Sequence, residues 1–350
     1  MNKLKIQILN DELNGLYTEH LLKSEYSLFY STVTYKKLLE KILGCNSYYI
    51  LAIMNDEIIA SFPLMIKTSE KYGSIANSLP FYGSNGCFTI NPGLNENNKE
   101  IIKQEIIKEV SSIICSNKCK ASTFISNPFE NPVWYDNNFV YDFKDYRIGQ
   151  ITPLPKYSKS IEDDLLKSFE EPRPRNIRKA IKSNITCIDD NSNKYLDFLY
   201  NIHIDNMAKI SGKAKKKIFF DSITGDFSRD EYKIYVALHE NVPVAAMLLF
   251  YFNQTIEYIT PVIKEEYRNF QPLSLLVYKA MIDAVQNGFK YWNWGGTWQA
   301  QEGVYSFKKK WGARDMHYNY YTKIYDNDFK NIDKEILNSE FPNFYAFPYI

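Results

Sequence analysis

The segment from Tyr291 to Ala313, YWNWGGTWQAQEGVYSFKKKWGA, constrains the fold more than any other part of the chain. It joins a short apolar strand over 291–294, a loop with two adjacent glycines, the start of a helix and a lysine cluster. Gly295 and Gly296 permit a backbone turn that side chains would block, and they bring peptide N–H groups close to a ligand. Such a loop beside the lysines at 308–310 suits a phosphate, a carboxylate or a developing oxyanion.

Length and composition limit the class of protein. A chain of 350 residues suits two domains, each large enough for its own core. Its 42 basic and 41 acidic residues balance, so no overall positive field marks it as a general nucleic-acid binder. The five cysteines lack the short paired spacing of a zinc site, and no window is long and apolar enough for a membrane span. These features predict a reduced, cytoplasmic protein, and association with the inner face of a membrane stays open.

Hydrophobic periodicity predicts a similar order of elements in both halves. Paired strands, a long helix and a further strand occur once in each half, which favours a duplicated mixed α/β fold. The proline-containing stretch GQITPLPKYSK, at 149–159, separates the halves. The lysine-rich stretch at 209–217 is expected to be a mobile loop. The main predicted elements are a hairpin over 48–66, helices over 98–115, 173–182, 194–209 and 272–287, and strands over 121–125, 232–239, 242–252, 255–263 and 318–325.

The C-terminal motif resembles that of the FemAB-like branch of the GNAT superfamily, which contains peptide-bridge aminoacyltransferases and related acyltransferases. The residues that carry the resemblance are Asn293, Gly295, Gly296, Gly303, Phe307, Lys308, Lys309 and Gly312. Asn293 stands where the family pattern has an acidic residue. The resemblance continues upstream in the basic segment 172–185 and in the segment 236–268. It is weaker in the first half, where PFYGSNGC at 80–87 is similar to a family turn.

This resemblance implies two tandem GNAT-like domains, each a mixed, mostly antiparallel sheet flanked by helices. The expected boundaries are 1–155 for the first domain and 156–317 for the second, catalytic domain. Residues 318–350 would form a closing strand and an aromatic tail that packs back on the first domain. The implied activity is acyl or aminoacyl transfer to an amine of a cell-envelope precursor, such as a surface-glycan amino sugar or a muropeptide. The donor would be acyl-CoA or aminoacyl-tRNA, with no metal.

Four residues are candidates for the chemistry. The resemblance places Lys308 at the acyl carbonyl, and Lys309 is a neighbouring cation that is expected to bind substrate. His203 and Asp205 are the candidates for a general base. No Ser-His-Asp or Cys-His arrangement follows from spacing, so direct attack by the amine is expected rather than a covalent intermediate. A solvated lysine cluster at a helix end is the alternative interpretation of Lys308.

Further residues are candidates for substrate or donor binding. Arg175 and Arg178 lie in the predicted basic helix, where guanidinium forks suit phosphate, although an ordinary exposed helix face explains them nearly as well. Tyr82 lies in the glycine turn of the first domain, and Tyr258 lies in the third strand of the predicted meander. The other candidates are Arg268, Gly295, Gly296 and Trp298.

The identity of the donor stays open at this point. The stretch 268–273, RNFQPL, takes the place of the glycine-rich pyrophosphate loop of acetyl-CoA enzymes, and Pro272 removes a backbone N–H. This weakens the case for acyl-CoA and keeps tRNA as a candidate partner, while DNA is not expected. Two other classes of function remain: a non-catalytic GNAT-like module that binds a glycan or a protein, and a nucleic-acid binder that uses the lysine-rich patches.

Overall fold

The computed structural model describes residues 4–24, 26–81, 86–130, 132–190, 192–297 and 301–346. The chain divides into two compact units, Met1–Ile148 with Met316–Ile350, and Gly149–Asp315. The candidates Tyr82 and Trp298 lie outside the described residues. Among the described residues, no helix combines the length and apolarity that crossing a bilayer requires.

The described strands are β1 (Lys5–Ile8), β2 (Asn46–Met54), β3 (Glu57–Ser69), β4 (Gly73–Asn77), β5 (Thr89–Ile90), β6 (Cys119–Ile125), β7 (Phe143–Pro153), β8 (Ile185–Asp189), β9 (Tyr232–His239), β10 (Val242–Phe252), β11 (Thr255–Ile263), β12 (Tyr291–Thr297) and β13 (Arg314–Ile324). The described α-helices are α1 (Asn14–Lys23), α2 (Val33–Leu43), α3 (Glu96–Ser116), α4 (Val133–Asn138), α5 (Ile161–Ser168), α6 (Arg173–Lys182), α7 (Leu196–Lys209), α8 (Lys217–Asp226), α9 (Pro272–Gln286), α10 (Glu302–Lys309) and α11 (Lys334–Glu340).

The first unit has a mixed sheet in the order β1-β2-β3-β4-β6-β13, in which only the β4–β6 pair is parallel. Asn55 and Asp56, both with positive φ, form the tight turn of the predicted β2–β3 hairpin. The long helix α3 buries Ile102, Ile106 and Val110 against this sheet, as the spacing predicts.

The C-terminal tail belongs to the first unit. Asn77, at the end of β4, is fully buried and its amide bonds both backbone groups of Tyr345: Tyr345 N donates to Oδ1 at 2.7 Å, and Nδ2 donates to Tyr345 O at 3.1 Å. The Tyr345 hydroxyl donates to the carbonyl of Phe81 at 2.7 Å. The tail is therefore held by its backbone as well as by its aromatic rings.

The second unit is built on the order β12-β11-β10-β9-β8, which is antiparallel except for the β11–β12 pair. The predicted meander is found over β9, β10 and β11. Helix α9 is apolar nearly all round and packs into the core on one face of the sheet, with α5 and α6. Helix α8 packs on Phe250, which alternates with the core residues Leu249 and Tyr251 and so points to the opposite face.

One local prediction is wrong. The sequence predicts a strand over 291–294 followed by a glycine loop, whereas β12 continues through Gly295 and Gly296 to Thr297. Gly295 has φ +71°, a conformation that glycine adopts without a steric penalty. The pair of glycines therefore ends a strand irregularly instead of forming a separate loop.

Candidate active site

The parallel strands β11 and β12 pair over a short stretch only. Their three rungs join Thr255 with Tyr291, Ile256 with Trp292, and Glu257 with Asn293. Beyond the last rung β11 continues to Ile263 and β12 continues to Thr297, without further pairing between them. We call these two stretches, residues 258–263 of β11 and 294–297 of β12, the split, because they do not pair with each other.

Both strands are irregular at the same distance past the last rung. In the pairing with β10, Leu248 lies opposite Thr260 and Leu249 lies opposite Tyr258, so Ile259 is an extra residue that forms a bulge in β11. Gly295, the equivalent residue of β12, has the positive φ described above. Bulges are frequent beside active sites because they redirect backbone and side-chain groups.

Lys308 reaches the split from the last turn of α10. Its ammonium donates to the Thr297 hydroxyl at 2.9 Å and to the carbonyl of Gly296 at 3.0 Å, with a longer contact of 3.5 Å to the carbonyl of Gly295. The side chain is buried, and desolvation lowers its pKa to about 8. Within the described residues no carboxylate forms an ion pair with this ammonium. Neutral dipoles alone therefore hold this buried cation.

A short hydrogen-bond chain fixes the acceptors of Lys308. The Thr297 hydroxyl donates to Gln150 Oε1 at 3.2 Å, which leaves its lone pairs directed to the lysine. Gln150 Nε2 donates in turn to the carbonyl of Tyr305 in α10, also at 3.2 Å. Strand β7, strand β12 and helix α10 are thus joined around one ammonium group.

Asn293 stabilises the irregular end of β12. Its side chain is buried and its Oδ1 accepts the N–H of Gly295 at 2.9 Å. An amide oxygen fills this acceptor role as a carboxylate would, so the local geometry needs no acidic residue at position 293.

Lys309 points to a different partner. Its ammonium lies 3.2 Å from Asp315 Oδ2, which also accepts the Tyr305 hydroxyl at 2.7 Å. The lysines at 308 and 309 therefore face different groups, and Lys308 alone of the two bonds to the split.

Tyr258, the first residue of the split in β11, packs against tryptophan rings. Its ring centroid lies 5.0 Å from that of Trp294 and 6.0 Å from that of Trp292. Burial raises the pKa of its hydroxyl. The nearby Arg173 is buried and lies over the ring of Phe307 at 4.3 Å, and desolvation lowers its pKa. Aromatic rings and the buried guanidinium of Arg173 thus lie around Tyr258.

Three predicted arginines lie on the surface. Arg175 and Arg178 are exposed on α6 and, with Glu171 and Pro172, line an open depression of about 500 Å³. Arg268 is half exposed, and its Nε lies 2.9 Å from Glu265 Oε2. The structure thus brings Arg175 and Arg178 together, while Arg268 is engaged by its own segment.

The two candidate bases differ in environment. His203 is buried in α7, and its Nε2 accepts the backbone N–H of Lys215 at 3.0 Å. Burial, followed by the charge of Lys215, lowers its pKa to about 4, so the ring is neutral near pH 7. Asp205 is exposed on the same helix. A catalytic role for either residue stays an untested prediction.

Lys215 contacts the other strand of the split, and the sequence alone does not indicate this position. Its ammonium lies 3.5 Å from the carbonyl of Ile259, the bulged residue of β11, and desolvation lowers its pKa to about 8. It is one of five lysines between 209 and 217, and no local pattern distinguishes it from the others. The sequence does not indicate Gln150 either, because it lies in the stretch predicted to separate the domains.

The second unit contains a segment that matches a known protein family. The model of the FemAB family matches residues 228–319, which include β9 to β12 and α10, about a quarter of the chain. The predicted FemAB-like character is confirmed over this segment. No curated protein sequence matches the chain.

Solved structures share the fold over almost the whole chain. FemX is 14% identical, with a TM-score of 0.69, and the match covers 93% of this chain and 99% of FemX. A tandem GNAT protein from the clavulanic acid biosynthesis pathway is 9% identical, with a TM-score of 0.54 and coverage of 92% and 98%. L-PGS from Bacillus licheniformis is 12% identical, with a TM-score of 0.51 and coverage of 82% and 90%. The predicted mixed α/β class and tandem GNAT-like architecture are thus confirmed.

Proposed function

We propose that this protein is an acyltransferase that forms an amide on an amine of a cell-envelope precursor, a surface-glycan amino sugar or a muropeptide. The observation that carries the proposal is the buried ammonium of Lys308 at the split, held by the Thr297 hydroxyl and the carbonyl of Gly296. A cation in a desolvated position without a carboxylate partner is suited to stabilise negative charge that develops during a reaction. A solvated lysine at a helix end would have neither property.

In the proposed reaction Lys308 polarises the carbonyl of the acyl donor. An ammonium has three N–H groups, and the 3.5 Å contact with Gly295 is the weakest of its three interactions. The N–H that makes this contact can turn to a donor carbonyl while the bonds to Thr297 and Gly296 keep the ammonium in place. As the amine attacks, the carbonyl oxygen becomes an oxyanion, and its interaction with the ammonium strengthens.

The FemAB-family match and the FemX fold support an aminoacyl donor, whereas the tandem GNAT fold supports acyl-CoA. Metal participation is not part of the proposal, and no group of three potential ligands lies together in the described part of the chain. Arg175 and Arg178 remain the proposed contacts for a phosphate of the donor or acceptor. The reaction would take place in the cytoplasm, at the inner face of the membrane if the acceptor is lipid-linked.

One experiment separates the donor classes. The purified chain is incubated with ¹⁴C-acetyl-CoA and, separately, with a pool of tRNA charged with ¹⁴C-amino acids, each with amino-sugar nucleotides and muropeptides as acceptors. Label in an amide that survives hydroxylamine supports acyl transfer and identifies the donor. A donor that is retained without any transfer would favour the non-catalytic binding module. Neither retention nor transfer in either arm would contradict the proposed activity.

A further inference from the structure

Two lysines contact the split from different segments of the second unit. Lys308 in α10 contacts the carbonyl of Gly295, two residues past the last rung of β12. Lys215 precedes α8 and contacts the carbonyl of Ile259, two residues past the last rung of β11. Each ammonium group therefore lies 3.5 Å from the carbonyl of the residue where its strand becomes irregular, while the shorter bonds of Lys308 go to Gly296 and Thr297.

The backbone of Lys215 is fixed by a side chain of α7. Its N–H donates to Nε2 of the buried His203 at 3.0 Å, twelve residues earlier in the chain. The ammonium also lies 5.7 Å from the centre of the Phe219 ring in α8. Contacts with α7, α8 and β11 thus set the direction of this side chain towards the bulge.

Acyl transfer to an amine requires a proton acceptor. An amine that arrives as an ammonium ion must lose one proton before it attacks, and Lys308 must stay protonated to polarise the carbonyl. His203 already uses its Nε2 to accept the N–H of Lys215, and Asp205 lies exposed on the outside of α7. A second group at the split, other than Lys308, is therefore better placed than His203 or Asp205 to accept this proton.

We propose that Lys215 is the general base that removes a proton from the acceptor amine, an inference that rests on the proposed acyl transfer. The neutral Nζ takes one proton from the acceptor ammonium, and the resulting amine adds to the acyl carbon. The tetrahedral species collapses with cleavage of the bond to the leaving group, which takes the proton from Lys215. Of the two protons that the attacking nitrogen still carries, one goes to water and the other stays as the N–H of the amide. Lys215 is then neutral again, and no other reactant is required.

The electrostatic surroundings of Lys215 favour this role. Desolvation lowers its pKa to about 8, in the range where a lysine base works well near neutral pH. The charged and titratable groups on the adjoining elements include the fully buried Glu257 on β11. The others are Asp197, His203, Asp205 and Lys209 on α7, and Lys217, Asp221 and Asp226 on α8. Lys217 is paired with Asp197 and Asp221, so its charge is largely balanced.

The decisive test compares Lys215→Arg, Lys215→Met and Lys216→Met with the wild type, using the donor and acceptor identified above. Arginine keeps a positive charge but cannot accept a proton in this pH range. We expect both changes at 215 to lower kcat/KM by about 100-fold or more, the usual contribution of a general base. Trimethylamine, which accepts a proton but cannot form an amide, should restore part of the activity of Lys215→Met. Lys216, exposed at the start of α8, is the matched control and should stay within about twofold of the wild type.

The outcomes distinguish a failure of the base assignment from a failure of the proposed function. A Lys215→Arg variant with nearly full turnover would overturn the base assignment and would indicate that only the charge matters. Loss of turnover in both variants without rescue by trimethylamine would also contradict it. A wild-type protein that transfers no acyl group would refute the proposed function itself.

Labelling by acetic anhydride measures the pKa of the Lys215 amine without a substrate. The extent of labelling between pH 6 and 11 is read by mass spectrometry. A midpoint near 8 is expected for Lys215, and a midpoint near 10.4 would contradict the inference.

Discussion

The ammonium of Lys308 donates a hydrogen bond of 2.9 Å to the hydroxyl of Thr297, across the end of β12. The same hydroxyl donates to Gln150, so it cannot turn away from the lysine without breaking a second bond. This relationship accounts for the position of a buried cation that no carboxylate of the described residues neutralises. It also gives the site a fixed donor for an oxyanion.

Replacing Thr297 with valine should loosen Lys308 without changing the volume of the side chain. The lysine loses one acceptor and Gln150 loses one donor, so we expect the free energy of unfolding to fall by about 1–3 kcal/mol. Acyl transfer should fall about tenfold, because the ammonium is no longer held in one position. Urea unfolding and initial rates check these effects, and Thr297→Ser, which keeps the hydroxyl, serves as the control. Equal behaviour of the valine and serine variants would contradict the account.

The stability contributed by Lys308 should depend on pH. Its pKa is lowered to about 8 in the folded protein, whereas an unfolded lysine titrates at about 10.4. Between these values the unfolded chain binds more protons, so the free energy of unfolding rises with pH. Relative to Lys308→Met, the wild type should gain up to about 3 kcal/mol between pH 7.5 and pH 10.5. Urea unfolding of both proteins at several pH values measures this gain, and a constant difference would show that the lysine is not desolvated.

Gly312, just after α10, should not tolerate a side chain. Its φ is +74°, and an added Cβ would lie 3.0 Å from the carbonyl oxygen of Ser168. Gly288 has φ +82° but open space around the added atom, so Gly288→Ala isolates the cost of the backbone conformation. We expect Gly288→Ala to cost about 1 kcal/mol and Gly312→Ala about 1–2 kcal/mol more. Chemical unfolding measures both costs, and equal values would mean that Ser168 moves aside freely.

Asn77 should control how firmly the tail of the first unit is held. Removing its amide in Asn77→Ala takes the acceptor from the N–H of Tyr345 and leaves the Tyr345 carbonyl with the Thr123 hydroxyl, which donates to it at 2.9 Å. We expect the free energy of unfolding to fall by about 2–4 kcal/mol and amide exchange around residue 345 to accelerate. The milder change Tyr345→Phe removes the hydroxyl that donates to Phe81 but keeps both backbone bonds to Asn77, and it should cost about 1 kcal/mol. Protection of the tail that is unchanged in Asn77→Ala would contradict this assignment.

The predictable parts of the fold are those in which local pattern and tertiary role agree. The meander of β9 to β11 and the apolar helix α9 follow from alternation, turn residues and continuous hydrophobicity. Strand β4 was missed because its five residues, GSIAN, have no strong period. The end of β12 was misplaced because adjacent glycines ordinarily indicate a loop. Here β12 pairs with β7 on the side away from β11, and it continues as a strand through both glycines.

The sequence predicts the candidate site only where it contains a known motif. The segment around Lys308 resembles the FemAB-like pattern and so identifies this lysine, and the structure adds its burial and its hydrogen bonds. Lys215 and Gln150 could not be found, because their roles depend on Ile259 and Thr297, which lie far from them in sequence. Tertiary contacts of this kind leave no local periodicity in a single sequence.

The rate of amide formation by Lys308→Met is the most direct test of the central claim, that this lysine stabilises the oxyanion of acyl transfer. With the donor and acceptor pair identified for the wild type, we predict a loss of about 100- to 1,000-fold in kcat. Lys310→Met, in the same lysine cluster but without a bond to the split, should keep normal turnover. Full turnover by folded Lys308→Met would contradict the account.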